Sequence, residues 1–301
     1  CVPPGWSTQR APFAARTGNT SMLGNLLRSL LQHPLRARRA RRARALFETG
    51  MAQQQSQDYE NARRSFEQSV DLDPDNADTH LWLGVMLARD SQSYAASVRH
   101  LERALALNPA IENGWFDLGN VYYFQRDLDK AGASFRAALA TNPDSVMALG
   151  NLGLVLKEGG RLQEALGYLR RARELAPDAE GTLRNLVVTL IEADQCEEAR
   201  SVAAVAVQRD RSGYEAHKYH GLALQKLHDP VRALACYDAA LKMRADDAEL
   251  HDFRGVAFLE LGRLPQAIEC YERALALRPD FWLSAFHRAL ARLQLADYRN
   301  G

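Results

Sequence analysis

Apolar residues recur along this chain on a 34-residue cycle, and within each cycle they fall three and four apart, the spacing of one face of an α-helix. One line carries the pattern whole: Trp115-x-x-Leu118-Gly119-x-x-Tyr122, then Ala131-x-x-x-Phe135-x-x-Ala138, then Pro143. Sliding by one cycle recovers it at Leu149, Leu152, Gly153 and Leu156 with Ala165, Leu169, Ala172 and Pro177, and again at His251, Gly255 and Phe258 with Ala267, Tyr271, Ala274 and Pro279. Each cycle predicts two antiparallel helices. Whole repeats start at Ala43, Ala77, Glu112, Val146, Glu180, Tyr214 and Ala248, an eighth begins at Trp282, and the second carries one extra residue near Ser91 to Tyr94.

The slots have a physical reason. A small residue stands where the paired helices cross: Gly50, Gly84, Gly119, Gly153, Val187, Gly221, Gly255 and Ala289. Small residues there let the backbones approach while Leu, Phe and Tyr fill the space on either side. One pair cannot bury its apolar face alone, so neighbouring pairs must stack. Pro followed by Asp, as at Pro74-Asp75, Pro143-Asp144, Pro177-Asp178 and Pro279-Asp280, ends one pair, and Asp or Asn there can cap the next helix. The fifth repeat departs most, with Val187 for the small residue, Ala203 for the large one and Arg211 where Pro is usual. Two accounts stand open: a volume-conserving swap between the helices, or a locally softer joint.

Composition narrows the class. With 47% hydrophobic and 25% charged residues the chain can order a core, and no apolar run is long enough for a membrane span. Cys1, Cys196, Cys236 and Cys270 show no close pairing, which favours a reducing compartment and a cytoplasmic location. The formal charge of +1 hides an asymmetry: residues 1–47 hold nine arginines and no Asp, Glu or Lys, leaving 29 bases against 37 acids in the rest. Residues 1–21 read as a disordered or non-native leader, with Met22 a candidate true start, and residues 22–42 as a basic helix or cap. The run Arg36, Arg38, Arg39, Arg41, Arg42 and Arg44 is open to two readings: a solvated cap, or an arm for nucleic acid, acidic lipid or organelle targeting. At the other end Phe281, Trp282, Phe286 and Leu290 lack a second helix, which suggests truncation near Gly301 or an edge that binds something.

No phosphate loop, dinucleotide fingerprint, zinc-protease motif or catalytic constellation is present in the sequence, and no cofactor, metal or small-molecule substrate is expected. Cys236 and Cys270 share a slot in adjacent repeats, at a helix-packing distance too long for a disulfide. His217, His220 and His251 are read as packed rather than metal-binding, and Glu197, Glu198, Asp246 and Asp247 as solvated turn residues. What remains is one face of the first helices. Its slots five, nine and twelve form a stripe holding Phe116, Asn120 and Tyr123, then Gly150, Leu154 and Lys157, then Arg184, Val188 and Ile191, then Lys218, Leu222 and Gln225. Beside it slot six gives Asp117, Asn151, Asn185, Tyr219 and Phe253. Amides here could hold the backbone of an extended peptide while aromatic and basic side chains anchor it. The candidate partner-binding residues are thus Phe116, Asp117, Asn120, Tyr123, Asn151, Lys157, Arg184, Asn185, Lys218 and Tyr219, spread over repeats three to six.

The small, aromatic, alanine and proline slots resemble the tetratricopeptide repeat family over residues 43–300. The resemblance implies an all-α, right-handed superhelical solenoid of about seven and a half helix-turn-helix repeats, its first helices lining a concave groove. Chaperone-binding members grip a C-terminal carboxylate with lysine and two asparagines. Asn120 and Asn151 match the asparagine slots, but Phe116 holds the lysine slot and Gly181 another basic slot. The chain is also similar to the repeat region of O-linked N-acetylglucosamine transferases, whose asparagine ladder Asn151 and Asn185 match at adjacent rungs, with Glu48, Trp82, Asp117, Tyr219 and Phe253 breaking it. Two functions follow: a noncatalytic protein-interaction scaffold of undetermined oligomeric state, or the substrate-recruiting region of a larger enzyme, a repeat-linked glycosyltransferase.

Overall fold

In the computed structural model, residues 19–111, 113–210 and 213–300 are described, without the side chains of 19–34, 180 and 297–300. All regular structure among them is helical, and the architecture is an all-α helical repeat solenoid. The described residues divide into two compact units, before and after the boundary at residues 111 and 112. Residues 1–18, most of the expected leader, fall outside the described residues.

The first unit contains α1 (Asn19–Gln55), α2 (Tyr59–Leu72), α3 (Ala77–Leu87), a 3₁₀ turn at Ser91–Ser93 and α4 (Tyr94–Leu107). The 3₁₀ turn absorbs the extra residue of the second repeat. One continuous helix, α1, carries both the basic run and the first helix of the first repeat. The second unit contains α5 (Gly114–Phe124), α6 (Leu128–Thr141), α7 (Val146–Glu158), α8 (Leu162–Leu175), α9 (Glu180–Glu192), α10 (Cys196–Arg209), α11 (Tyr214–Lys226), α12 (Pro230–Met243), α13 (Ala248–Glu260), α14 (Leu264–Leu277) and α15 (Trp282–Asn300).

Every whole pair but the fifth closes by the same device. A Cβ added to Gly119 would lie 2.7 Å from the Phe135 ring, and one added to Gly255 would lie 2.5 Å from that of Tyr271. Only glycine admits so close an approach, and the large side chain seated on it is fully buried in both cases. In the fifth repeat the volume crosses sides: Val187 on α9 and Ala203 on α10 are both fully buried in one apolar cluster. That is the volume-conserving arrangement.

In every whole repeat but the second, where the 3₁₀ turn stands, a left-handed residue follows the first helix and ends it by turning its last carbonyls inward. Gly160 and Gly262 supply it in two repeats, and Gln57, Arg126, Asp194 and His228 adopt it in four others. Of the Asp or Asn caps expected at these turns, Asn76 serves in one repeat, and Ser145 takes the place in another. Asn76 rather than Asp75 accepts the amide of Thr79, and Ser145 rather than Asp144 accepts that of Ala148. Asp75 and Asp144 instead bind Arg103 and Arg171 of the next second helix, at 2.6 and 3.0 Å.

Candidate functional site

On α5, Phe116 and Asn120 are one turn apart, with Asp117 beside Phe116 and Tyr123 one turn beyond Asn120. The helical repeat aligns them because residues three and four apart share a face. The Phe116 ring leans on Phe135 of α6, with centroids 5.8 Å apart. From α7, the Asn151 amide donates to Asn120 Oδ1 at 2.8 Å, so the two candidate asparagines form one unit across adjacent repeats. Each keeps further hydrogen-bonding capacity, since an amide side chain offers two donors and an acceptor oxygen. A Cβ added to Gly150, beside Asn151, or to Gly181 on α9 would meet nothing within 4 Å, and of the two Gly181 is exposed and Gly150 buried. Two exposed apolar side chains outside the expected set, Phe124 and Met147, stand on the same helices.

Asp117 is the electrostatic anomaly of this surface. It is largely shielded from water, and burial pushes its carboxyl up to about 6. Among the described residues no ion pair is found for it. A carboxylate taken from water without a cation is costly, so the site favours an incoming positive group.

Farther along the stripe, charges are already answered. The Tyr123 hydroxyl donates to Glu158 at 2.5 Å, and burial together with that carboxylate pushes its phenol up to about 12. Lys157 pairs with Glu192 at 3.5 Å, and Gln225 donates to Glu260 at 3.0 Å. All three pairs join residues 35 apart, slot twelve of one first helix to slot thirteen of the next. Glu158, Glu192 and Glu260 did not figure in the sequence reading, although pairing the chain with itself at that offset would have found them.

Lys218 and Tyr219 correct the sequence reading. Both are buried, at 5% and 6% exposure, and cannot form an accessible contact surface. The Lys218 ammonium lies 2.8 Å from Asp247 and 2.5 Å from Glu249 of α13. Tyr214 also donates to Asp247. Burial would raise the Asp247 carboxyl, but Lys218, Tyr214 and the Leu250 amide hold it down at about 2. Burial would likewise lower Lys218, and its two carboxylates raise it instead. Asp247, expected as a solvated turn residue, is thus the centre of a structural knot. Arg184 is exposed and Asn185 half-buried, the latter's backbone oxygen accepting from Thr189 at 2.6 Å.

The remaining chemistry is structural. Among the described residues no group of three His, Cys, Asp or Glu is placed to hold a metal. His251 donates to the carbonyl of Ala245 and His80 to that of Pro74, each six residues back, so this slot pins the preceding turn. Cys196, Cys236 and Cys270 are free, and burial pushes the Cys236 thiol up to about 11, away from reactivity. Arg36, Arg38, Arg39, Arg41, Arg42 and Arg44 are exposed, and Arg44 pairs with Glu48 at 3.0 Å. Among the described residues no helix is long and apolar enough to cross a membrane.

No curated protein matches the chain in sequence. Among solved structures it is similar to a tetratricopeptide repeat protein from Parabacteroides merdae, with TM-score 0.66 and 14% identity over 84% of this chain and 99% of that one. A chain of the APC/C hetero-tetramer Cut9–Hcn1 superposes with TM-score 0.60 at 17% identity, over 83% of this chain and 48% of the other. A thermophilic tetratricopeptide repeat protein of Thermus thermophilus gives TM-score 0.51 at 25% identity, over 60% of this chain and 99% of its own. The tetratricopeptide repeat family model matches residues 47–110, 85–132, 116–180, 219–280 and 254–299. Those segments leave out 181–218, nearly all of the divergent fifth repeat. The helix pairs, the glycine crossings and these matches together place the chain in the tetratricopeptide repeat family.

Proposed function

We propose that the protein is a noncatalytic interaction scaffold and that the surface of α5 and α7 captures an extended partner segment carrying a basic side chain. The observation that carries this reading is the conjunction of the Asn120–Asn151 amide pair with Asp117, a shielded carboxylate for which no ion pair is found among the described residues. The amides bind the partner's backbone whatever its sequence, Asp117 receives its Lys or Arg, and Phe116 and Phe124 cover its apolar atoms. Arg184 and Lys157 bound the same surface on α9 and α7. Lys218 and Tyr219 are buried parts of α11, and Lys218 ties that helix to Asp247 and Glu249.

The test is a peptide array probed with the intact protein. Peptides with a basic residue should be retained, and Asn120→Ala with Asn151→Ala should weaken retention without loss of helicity. Retention unchanged by both substitutions removes these residues from the site. A second reading, the substrate-recruiting region of a larger enzyme, rests on Asn151 and Asn185 at consecutive rungs of an asparagine ladder. The coding sequence beyond Gly301 decides it: several hundred further residues favour the enzyme.

A further inference from the structure

The second helices of the fourth and fifth repeats carry a feature that the α5–α7 surface does not use. Two clefts, of about 550 and 580 Å³, open on either side of α10 and share Arg173, Pro177 and Arg209. The floor of one is Leu186, Val202 and Val205, and that of the other Leu183, Ala206 and Ala216. Their origin is legible in the repeat register. In the second and fourth repeats the slot held here by Val205 carries Arg103 or Arg171, whose long side chain reaches the Asp of the preceding turn. Val205 is too short for that reach and is 48% exposed. A second ladder also ends here. Arg136 binds Glu164, and Arg170 binds Glu198, but the next slot in that series is Ala204.

The charges around these clefts do not cancel at one point. Glu198 is held by Arg170 at 2.7 Å, Glu174 by Arg171 at 3.2 Å, and Asp178 meets Arg209 at 3.6 Å. Asp210 is engaged as well. Arg173, half-buried where the clefts meet, has no ion pair among the described residues; burial and the neighbouring Arg209 disfavour its charge, and Asp178 offsets them only in part. A guanidinium in that position gains from an anion and presents a fork suited to a carboxylate.

We propose that the α8–α10 face is a second binding site, independent of the α5–α7 surface, for a ligand with a short apolar body and a carboxylate, the apolar part on Val202 and Val205 and the carboxylate on Arg173 and Arg209. Hexanoate is a sufficient probe. Titrated into the full chain and followed by calorimetry and melting temperature, it should bind saturably and raise the melting temperature, whereas inorganic phosphate and 1-hexanol should bind at least tenfold more weakly. Arg173→Gln should weaken hexanoate at least tenfold. Val205→Arg, which rebuilds the arrangement of the fourth repeat and fills the cleft, should abolish binding while leaving the protein folded. Absence of saturable hexanoate binding, or equal affinity in either variant, overturns the site. Phosphate as tight as hexanoate overturns the apolar half of the assignment.

Discussion

The fourth and fifth repeats are neighbours of equal length with opposite solutions to one packing problem. In the fourth, a Cβ on Gly153 would lie 2.6 Å from Leu169, so the second helix supplies the bulk. In the fifth, Val187 supplies it and Ala203 recedes, with both fully buried. The core is served equally well either way, because what a close-packed interior requires is volume and not its provenance. The exposed side of the second helices is not indifferent. The fourth repeat sends Arg170 and Arg171 to neighbouring turns, whereas the fifth offers Ala204 and Val205 and leaves open clefts.

The largest effect comes from exchanging the two solutions. Gly153→Val forces a side chain into Leu169 and should cost about 2–3 kcal/mol, and Leu169→Ala alone about 2–5 kcal/mol. The double variant, which copies the fifth repeat into the fourth, should lose clearly less than the sum, with a coupling on the order of 1–2 kcal/mol in denaturant melts. Strict additivity would contradict the swap. Next comes the knot that follows the fifth repeat. Lys218→Met leaves Asp247 shielded beside Tyr214 without its cation and should cost about 2–3 kcal/mol. Asp247 titrates below its unfolded value, so the stability it brings is present above about pH 4 and lost as pH falls through about 2. A Lys218→Met stability curve parallel to wild type over that window would contradict this role.

Asp117 has the opposite sign. Its folded-state value near 6 lies above that of the unfolded chain, so its penalty is absent below about pH 4 and grows as pH rises through about 6. Asp117→Asn should therefore stabilise the protein at neutral pH, on the order of 1 kcal/mol, while weakening capture of basic peptides. Wild-type capture should itself fade as pH drops through about 6, and a flat pH profile would remove Asp117 from the site. The smallest effect distinguishes the turns of the two repeats. Gly160 adopts φ of 75° without strain, whereas Asp194 is held at 59°. Asp194→Gly should gain a few tenths to about 1 kcal/mol, read as a modest rise in melting temperature.

Much of this was legible because local constraints repeat. A glycine at every crossing except the fifth and the last, and alanine or serine at two slots seven apart in each second helix, are demands a single helix pair makes of its own sequence. The site was legible only as a list of positions. Phe116, Asp117, Asn120 and Asn151 were read onto one face of the first helices together with Lys218, but the face alone did not say which would stay accessible. Lys218 sinks because α13 brings Asp247 and Glu249 against it, residues 29 and 31 positions away. The reading of Asp247 as a solvated turn residue failed for the same reason.

By itself, then, the amino-acid order determined the helix pairs, their length and the family, since each depends on contacts within one cycle or between one cycle and the next. Tertiary packing alone decided which charges are answered and which are left over. Whether Lys218, Asp117 or Arg173 finds a counter-ion depends on side chains that several helices bring together, and the free energy of a charge is set by its surroundings rather than by its slot.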